Sequence, residues 1–230
     1  MLPFAAETLL SIFGQYNRAI WPLHGVAALM VLVTLALALV GGRGAGRVVG
    51  LLLAVMWVWI GVVFIGGVLA EFHFWAGRLA GVFVAQGLML LFALTLLGRH
   101  GFGWPGGAAG LVAIVVMAYA MVGHALLEVL LLGVSWAQAQ YVGVAPGPTM
   151  LFTLGILLVA QPRPSLILAI IPFLWTLVTA YIAWELGIWL EYLPAALGLI
   201  AFVLLLVRRL YPGERGLFRS DTFGARSRSR

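Results

Sequence analysis

Long apolar segments alternate with short clusters of Gly, Pro and charged residues along most of this chain. A helix needs about 20 predominantly apolar residues to cross a hydrocarbon core about 30 Å thick. By this criterion and by the helix-breaking clusters between segments, we predict six transmembrane helices. They cover approximately residues 21–40, 48–70, 79–97, 108–134, 165–184 and 194–207.

A further apolar run, residues 150–160, is too short to span a membrane by itself. It reaches spanning length only when residues 142–149 are included, and these contain Pro146-Gly147-Pro148. The segment is therefore either a fifth span in chain order or a re-entrant segment. Counting it as a span, the pattern predicts an all-α integral membrane protein, a bundle of about seven transmembrane helices.

The first residues have a different pattern. Leu9, Phe13, Tyr16 and Ile20 recur at helical spacing and predict a short amphipathic helix. We expect residues 1–20 to form an interfacial amphipathic segment, followed by the transmembrane bundle over residues 21–211. Residues 212–230 are rich in Ser and Arg and are expected to form a basic, disordered cytoplasmic tail.

Composition supports the membrane assignment and excludes several functions. Apolar residues make up 64% of the chain and charged residues 9%, against about 25% charged in a typical soluble domain. All 13 basic residues are Arg, so this chain offers no Lys for a Schiff base to retinal. It also has no Cys, which excludes disulfides and thiolate metal ligands.

The basic residues are distributed unequally between the two ends of the predicted helices. With seven spans, Arg18 and Arg78 lie on one side, and the other eleven Arg residues lie on the opposite side or in the tail. Basic residues accumulate on the cytoplasmic side of membrane proteins. We therefore expect a plasma membrane location with the amino terminus outside and the carboxyl terminus in the cytoplasm. This distribution also explains the sequence pI near 10.5 without a nucleic-acid partner.

His124 and Glu128 form the most specific candidate site in the sequence. They are four residues apart and so share one face of a predicted transmembrane helix. A buried Glu must be paired, protonated or hydrated, since an isolated charge is costly in hydrocarbon. The pair could handle protons or a cation, or it could be a structural hydrogen-bonded pair that holds helices together. Met117 and Met121 extend the same face, but no His-x-x-His or carboxylate cage supports a metal site, and we predict no cofactor.

Four further polar residues are expected around the outer entrance to this pair. Their predicted positions are near the outer ends of helices or at the Pro-rich turn. They are Gln86, Glu71, His73 and Thr149. Glu185 and Glu191 are interpreted as exposed charges of the outer surface, of functional interest only if they converge with Glu128.

Several motifs resemble one family of bacterial multi-pass membrane proteins of unknown function. They have the patterns N-x-A-x-W-P, W-x-W-x-G-V-V and P-T-x-x-F-T-x-G-x-L-L, and they lie at residues 17–22, 57–63 and 148–158. The resemblance extends over roughly residues 3–207. It implies a helical membrane architecture and a bacterial origin, with no activity to transfer. The family pattern has Tyr-His where this chain has Phe64-Ile65, and Cys where it has Gly147, so no site can depend on those residues here.

Three functions remain compatible with the sequence. The first is a small-solute or cation permease or binding protein with an outward-facing polar site. The second is a non-catalytic structural or assembly subunit of a larger membrane complex, which contacts partner membrane subunits through its small residues and its amphipathic amino-terminal helix. The third is a membrane enzyme that acts on a hydrophobic substrate, although no catalytic motif in the sequence supports it. In each case the lipid bilayer is the common partner.

Overall fold

The computed structural model describes residues 6–41 and 43–210. Within these ranges it contains nine α-helices and one pair of two-residue strands. The helices are α1 Ala6–Ala19, α2 Leu23–Val40, α3 Arg43–Trp59, α4 Ala76–Leu90, α5 Gly107–Ala118, α6 His124–Leu132, α7 Pro146–Val159, α8 Ile167–Leu186 and α9 Tyr192–Leu210. The strands are β1 Gly101–Phe102 and β2 Ala160–Gln161. The predicted tail, residues 212–230, lies outside the described residues.

Three of these helices continue through π-helical segments. Helix α3 continues through Ile60–Val68, α4 continues through Leu91–Leu96, and Tyr119–Gly123 joins α5 to α6. Together with neighbouring turns, six continuous helices are long and apolar enough to cross a membrane. They are Leu23–Val40, Gly44–Glu71, Ala76–Leu96, Gly107–Leu132, Ile167–Leu186 and Trp189–Leu210. The structure thus confirms a predominantly helical protein with six helices long and apolar enough to span a membrane, but it does not confirm the count of about seven.

Helix α7 is the segment that leaves the count open. Its 14 residues extend over about 21 Å at 1.5 Å per residue, which is less than a hydrocarbon core. Every one of its residues is buried, and it packs against α5, α8 and α9. A helix that is apolar on all sides belongs in the interior of a bundle. Small residues permit this packing: Gly155 lies against Met117, and Gly198 of α9 lies against Thr176 and Met150.

The two ends of α7 are held at opposite ends of the bundle. Its first residue, Pro146, follows the loop that contacts Glu128 and Glu191. Its last residues lead into β2, which pairs antiparallel with β1, so that Phe102 lies opposite Ala160. At the same end, the Arg208 guanidinium donates a hydrogen bond to the Leu158 carbonyl. Helix α7 therefore connects the polar end of the bundle to the end that carries Arg208.

Helix α1 packs on the bundle through the apolar face predicted from the sequence. The Phe13 ring stacks on Phe64, with ring centroids 4.9 Å apart. The Tyr16 hydroxyl donates to the Val144 carbonyl (3.1 Å) and accepts a hydrogen bond from the Trp59 indole (2.9 Å). Burial raises the pKa of Tyr16 to about 12, although the hydrogen bond from Trp59 lowers it. Protein, rather than lipid, thus covers the buried part of this face.

The loop between α6 and α7 folds back over the same end of the bundle, where Asn17 fixes it. The Asn17 side-chain amide donates to the carbonyls of Ala137 (3.0 Å) and Ala139 (2.9 Å). Its carbonyl oxygen lies 3.2 Å from Nε2 of His24, at the start of α2. Asn17 therefore links α1, α2 and the loop, and it fixes the backbone immediately before Gln140.

Candidate functional site

Three buried ionisable side chains converge at the end of the bundle that α1 covers. His124 and Glu128 are one turn apart on α6, and Nε2 of His124 lies 3.7 Å from Oε1 of Glu128. Glu191, at the start of the last membrane-length helix, places its Oε1 3.7 Å from the same nitrogen. One potential ligand atom from each of the three residues lies within 4.8 Å of the other two. We call these three residues the His–Glu–Glu cluster.

Gln140 connects the two carboxylates of the cluster. Its backbone N–H donates to Oε2 of Glu128 (2.8 Å), and its side-chain amide donates to Oε1 of Glu128 (3.1 Å). The same amide nitrogen is 3.2 Å from Oε1 of Glu191. Gln140 belongs to the loop that Asn17 fixes, so the position of this loop determines where the two carboxylates receive hydrogen bonds.

Tyr119 orients the imidazole from the other side. Its hydroxyl lies 3.2 Å from Nδ1 of His124, and the two rings meet edge to face with centroids 5.7 Å apart. When Nδ1 carries the proton and donates to the Tyr119 oxygen, the lone pair of Nε2 points into the cluster. When Tyr119 donates instead, Nε2 carries the proton. The geometry thus permits His124 to present either a ligand or a donor to the carboxylates.

The cluster is electrostatically incomplete without a cation or protons. Nε2 of His124 is fully buried and has no hydrogen-bond partner. Two carboxylates lie beside it, and across the described residues no Arg forms an ion pair with either of them. Buried charges are normally paired, neutralised by protons or bound to a metal ion, because desolvation costs several kcal/mol per ion. The arrangement can therefore bind protons or a positively charged ligand.

A cavity of about 230 Å³ borders the cluster. Its polar lining residues are His73, Glu128, Gln140, Thr179, Tyr181 and Glu191, and Gly147 also faces it. The rest of the wall is mainly apolar, and the α1 residues that contribute to it are Leu9, Leu10 and Phe13. A cavity with apolar walls and a few convergent polar groups is typical of small-molecule sites.

A larger groove of about 720 Å³ lies between α2 and the segment Tyr119–Gly123. Arg18, His24 and Trp136 lie along it, and the remaining wall is largely apolar. No carboxylate lines this groove within the described residues. It therefore lacks the two buried carboxylates, Glu128 and Glu191, that line the smaller cavity.

The other residues predicted around the entrance are dispersed. His73 lines the same cavity as Glu128, and its Nδ1 accepts a hydrogen bond from the Trp75 backbone (3.2 Å). Glu71 is exposed at the end of its helix. Gln86 is fully buried elsewhere and donates to the Leu168 carbonyl (2.8 Å).

Thr149 fixes the turn that precedes α7. Its hydroxyl donates to the Ala145 carbonyl and accepts a hydrogen bond from the Gly143 N–H, both at 2.7 Å. It does not line the cavity. The methionines on the same predicted face do not join the cluster either, since Met117 packs on Gly155 and Met121 faces the larger groove.

Three functional residues of this site were not predicted as such. Glu191 was interpreted as an exposed outer charge, but it is buried and belongs to the cluster. Gln140 and Tyr119 supply the hydrogen bonds that orient it. One signal in the sequence pointed to this contact: Glu191 was expected on the outer surface, on the same side of the membrane as Glu128.

A family model described as "Family of unknown function (DUF6064)" matches residues 6–215, and the chain belongs to this family. The match extends over both the amphipathic helix α1 and the complete described bundle. Comparisons with curated proteins and with solved structures found no match.

Proposed function

We propose that this member of DUF6064 is a small-solute or cation permease or binding protein, with a cation or proton site at the His–Glu–Glu cluster. The observation that supports the proposal most directly is the buried Nε2 of His124, which has no hydrogen-bond partner and faces two carboxylates. A purely structural histidine would be expected to have both ring nitrogens satisfied. The adjoining cavity gives a solute room beside the cluster.

The proposed location is a bacterial plasma membrane, with the cluster near the outer face. The distribution of Arg residues supports this orientation. Arg78 lies in the first turn of α4, at the same end of the bundle as Glu71. Arg208 lies beside the end of α7 that is remote from the cluster. Reporter fusions after Arg78 and after Leu210 test the orientation: a periplasmic phosphatase should be active only at the first position. Activity at the second position alone would reverse the proposed topology.

Water access to the cluster is the first test of function. The chain has no Cys, so a single engineered Cys can be labelled without background. We expect Gly147→Cys to react with a water-soluble thiol reagent, because Gly147 lines the cavity and an added Cβ comes no closer than 3.4 Å to Gln140. Leu151→Cys is the matched control, since Leu151 is also buried in α7, one turn further along, and does not line the cavity.

The comparison should be made on folded protein in bilayers, with complete labelling of both variants in denaturant. Selective reaction of Gly147→Cys supports a hydrated, cation-accessible site. Equal protection of both positions in the folded protein would contradict the proposal and favour the structural-subunit hypothesis, in which the cluster is a dry link between helices.

A further inference from the structure

We propose that the His–Glu–Glu cluster is a binding site for a divalent first-row transition metal ion of the Zn²⁺ class. This inference rests on the proposed function and specifies the cation. The three protein ligands are Nε2 of His124 and one carboxylate oxygen each from Glu128 and Glu191.

The spacing of the three donors suits one small metal ion. Two donor pairs are 3.7 Å apart, and all three atoms lie within 4.8 Å of each other. Ligands bound tetrahedrally at about 2.0–2.1 Å are separated by about 3.4 Å. On binding, the donors would have to approach each other by a few tenths of an ångström at the two shorter separations and by up to about 1.4 Å at the longest.

Charge balance favours a divalent ion. Two ionised carboxylates and a neutral imidazole carry a net charge of −2, which one divalent cation neutralises. The three side chains are almost completely buried, so neutralisation avoids leaving uncompensated charge in an apolar environment. The imidazole nitrogen that would bind the ion is the same atom that has no hydrogen-bond partner.

The surrounding hydrogen bonds resemble the outer shell of a metal site. A histidine ligand usually donates its second ring N–H to an oxygen, which fixes its tautomer and orientation. Tyr119 provides that oxygen at 3.2 Å from Nδ1 of His124. Gln140 donates hydrogen bonds to both carboxylates and so orients them. These contacts direct Nε2 and the carboxylate oxygens towards a common centre.

The donor types narrow the choice of metal. One imidazole nitrogen and two carboxylate oxygens suit Zn²⁺, Mn²⁺ or Fe²⁺, whereas Cu⁺ prefers thiolate or thioether sulfur. Ca²⁺ takes six to eight oxygen ligands, more than this cluster supplies. Three protein ligands leave a position of a four-coordinate ion free for water or a solute, and the cluster borders the cavity where either could reach it.

Zn²⁺ binding to the purified full chain tests the inference. Equilibrium dialysis against chelator-buffered Zn²⁺, followed by elemental analysis, should give one ion per chain in the wild type. We expect His124→Ala and Glu191→Gln each to weaken binding at least tenfold. Tyr119→Phe should weaken it about 10–100-fold if the tyrosine orients the ligand. Glu71→Gln is the control. It removes an exposed carboxylate at the end of the helix Gly44–Glu71 and should leave Zn²⁺ binding unchanged.

X-ray absorption at the Zn edge of the wild-type protein provides a measurement that requires no variant. One imidazole nitrogen with oxygen ligands is the expected coordination shell, and a shell of oxygen alone would overturn the inference. Zn²⁺ binding that survives both ligand substitutions would identify adventitious sites and would also overturn it. Absence of Zn²⁺ binding while Gly147→Cys remains accessible to water would refute the metal and leave the proposed proton or solute site in place. If neither is observed, both proposals fail.

Discussion

Substitution of Asn17 tests whether one side chain holds α1 and the loop before α7 onto the bundle. Asn17→Ala removes two hydrogen bonds to the carbonyls of Ala137 and Ala139, at 3.0 and 2.9 Å, and the contact with His24 at 3.2 Å. A hydrogen bond contributes about 0.5–1.5 kcal/mol net, and a buried carbonyl left without a partner costs about 1–3 kcal/mol. We therefore expect a loss of about 2–3 kcal/mol in the free energy of unfolding.

Thermal unfolding in a mild detergent, followed by tryptophan fluorescence, measures this loss. For a chain of this size about 1 kcal/mol corresponds to about 2–4 °C, so Asn17→Ala should lower Tm by about 5–10 °C. Asn17→Asp should be at least as destabilising, because it replaces the amide donor by a carboxylate that faces two carbonyls. Gln15→Ala is the matched control on α1, since Gln15 is exposed and donates a hydrogen bond to Ser11 on its own helix. A Tm for Asn17→Ala within about 1 °C of the wild type would refute the assigned role.

Two further pairs of substitutions test the packing around α7. Trp57→Phe removes the bond from the indole N–H to the Thr153 hydroxyl (2.9 Å) and leaves a cavity at a fully buried position, so it should cost more than the about 1 kcal/mol of the bond alone. Thr153→Val removes the same bond, so the double variant should lose less than the sum of the two single losses. Gly198→Ala introduces a methyl group against Cγ2 of Thr176 and should destabilise by about 1–3 kcal/mol. Thr176→Ser removes that Cγ2 atom and should restore most of the loss; an equal Tm for the single and double variants would contradict the proposed clash.

Hydropathy predicted the long helices because it averages over about one membrane thickness. The predicted span 21–40 corresponds to Leu23–Val40, and the predicted span 48–70 lies within Gly44–Glu71. Helix α7 could not be classified in this way, since its apolar run is short and no face of it is polar. In the structure, the helix begins four residues before the apolar run, at Pro146. Proline is accommodated there because the first residues of a helix need no backbone N–H.

Helical geometry predicted that His124 and Glu128 lie on one helix face, but it could not predict which residues from other segments contact them. Glu191 is 51 residues from Gln140, which donates to it, and a pattern of apolar residues specifies the side of the membrane rather than the contact. Gln140 lies in a loop without periodicity, so its orientation follows from the hydrogen bonds of Asn17 and of Glu128. Sequence periodicity thus determined which residues share a helix, whereas side-chain packing determined which helices share a site.

The complete burial of α7 constrains the order in which the chain can be built into a membrane. During synthesis, α7 leaves the ribosome before α8 and α9, the two later helices that enclose it. It is too short to span a bilayer stably alone, and the backbone groups at the ends of so short a helix would lie in hydrocarbon, where lipid cannot satisfy them. We therefore expect α7 to be held against α5 during insertion until the last two helices arrive, so that the carboxyl-terminal helices close the bundle around a segment that is already in place.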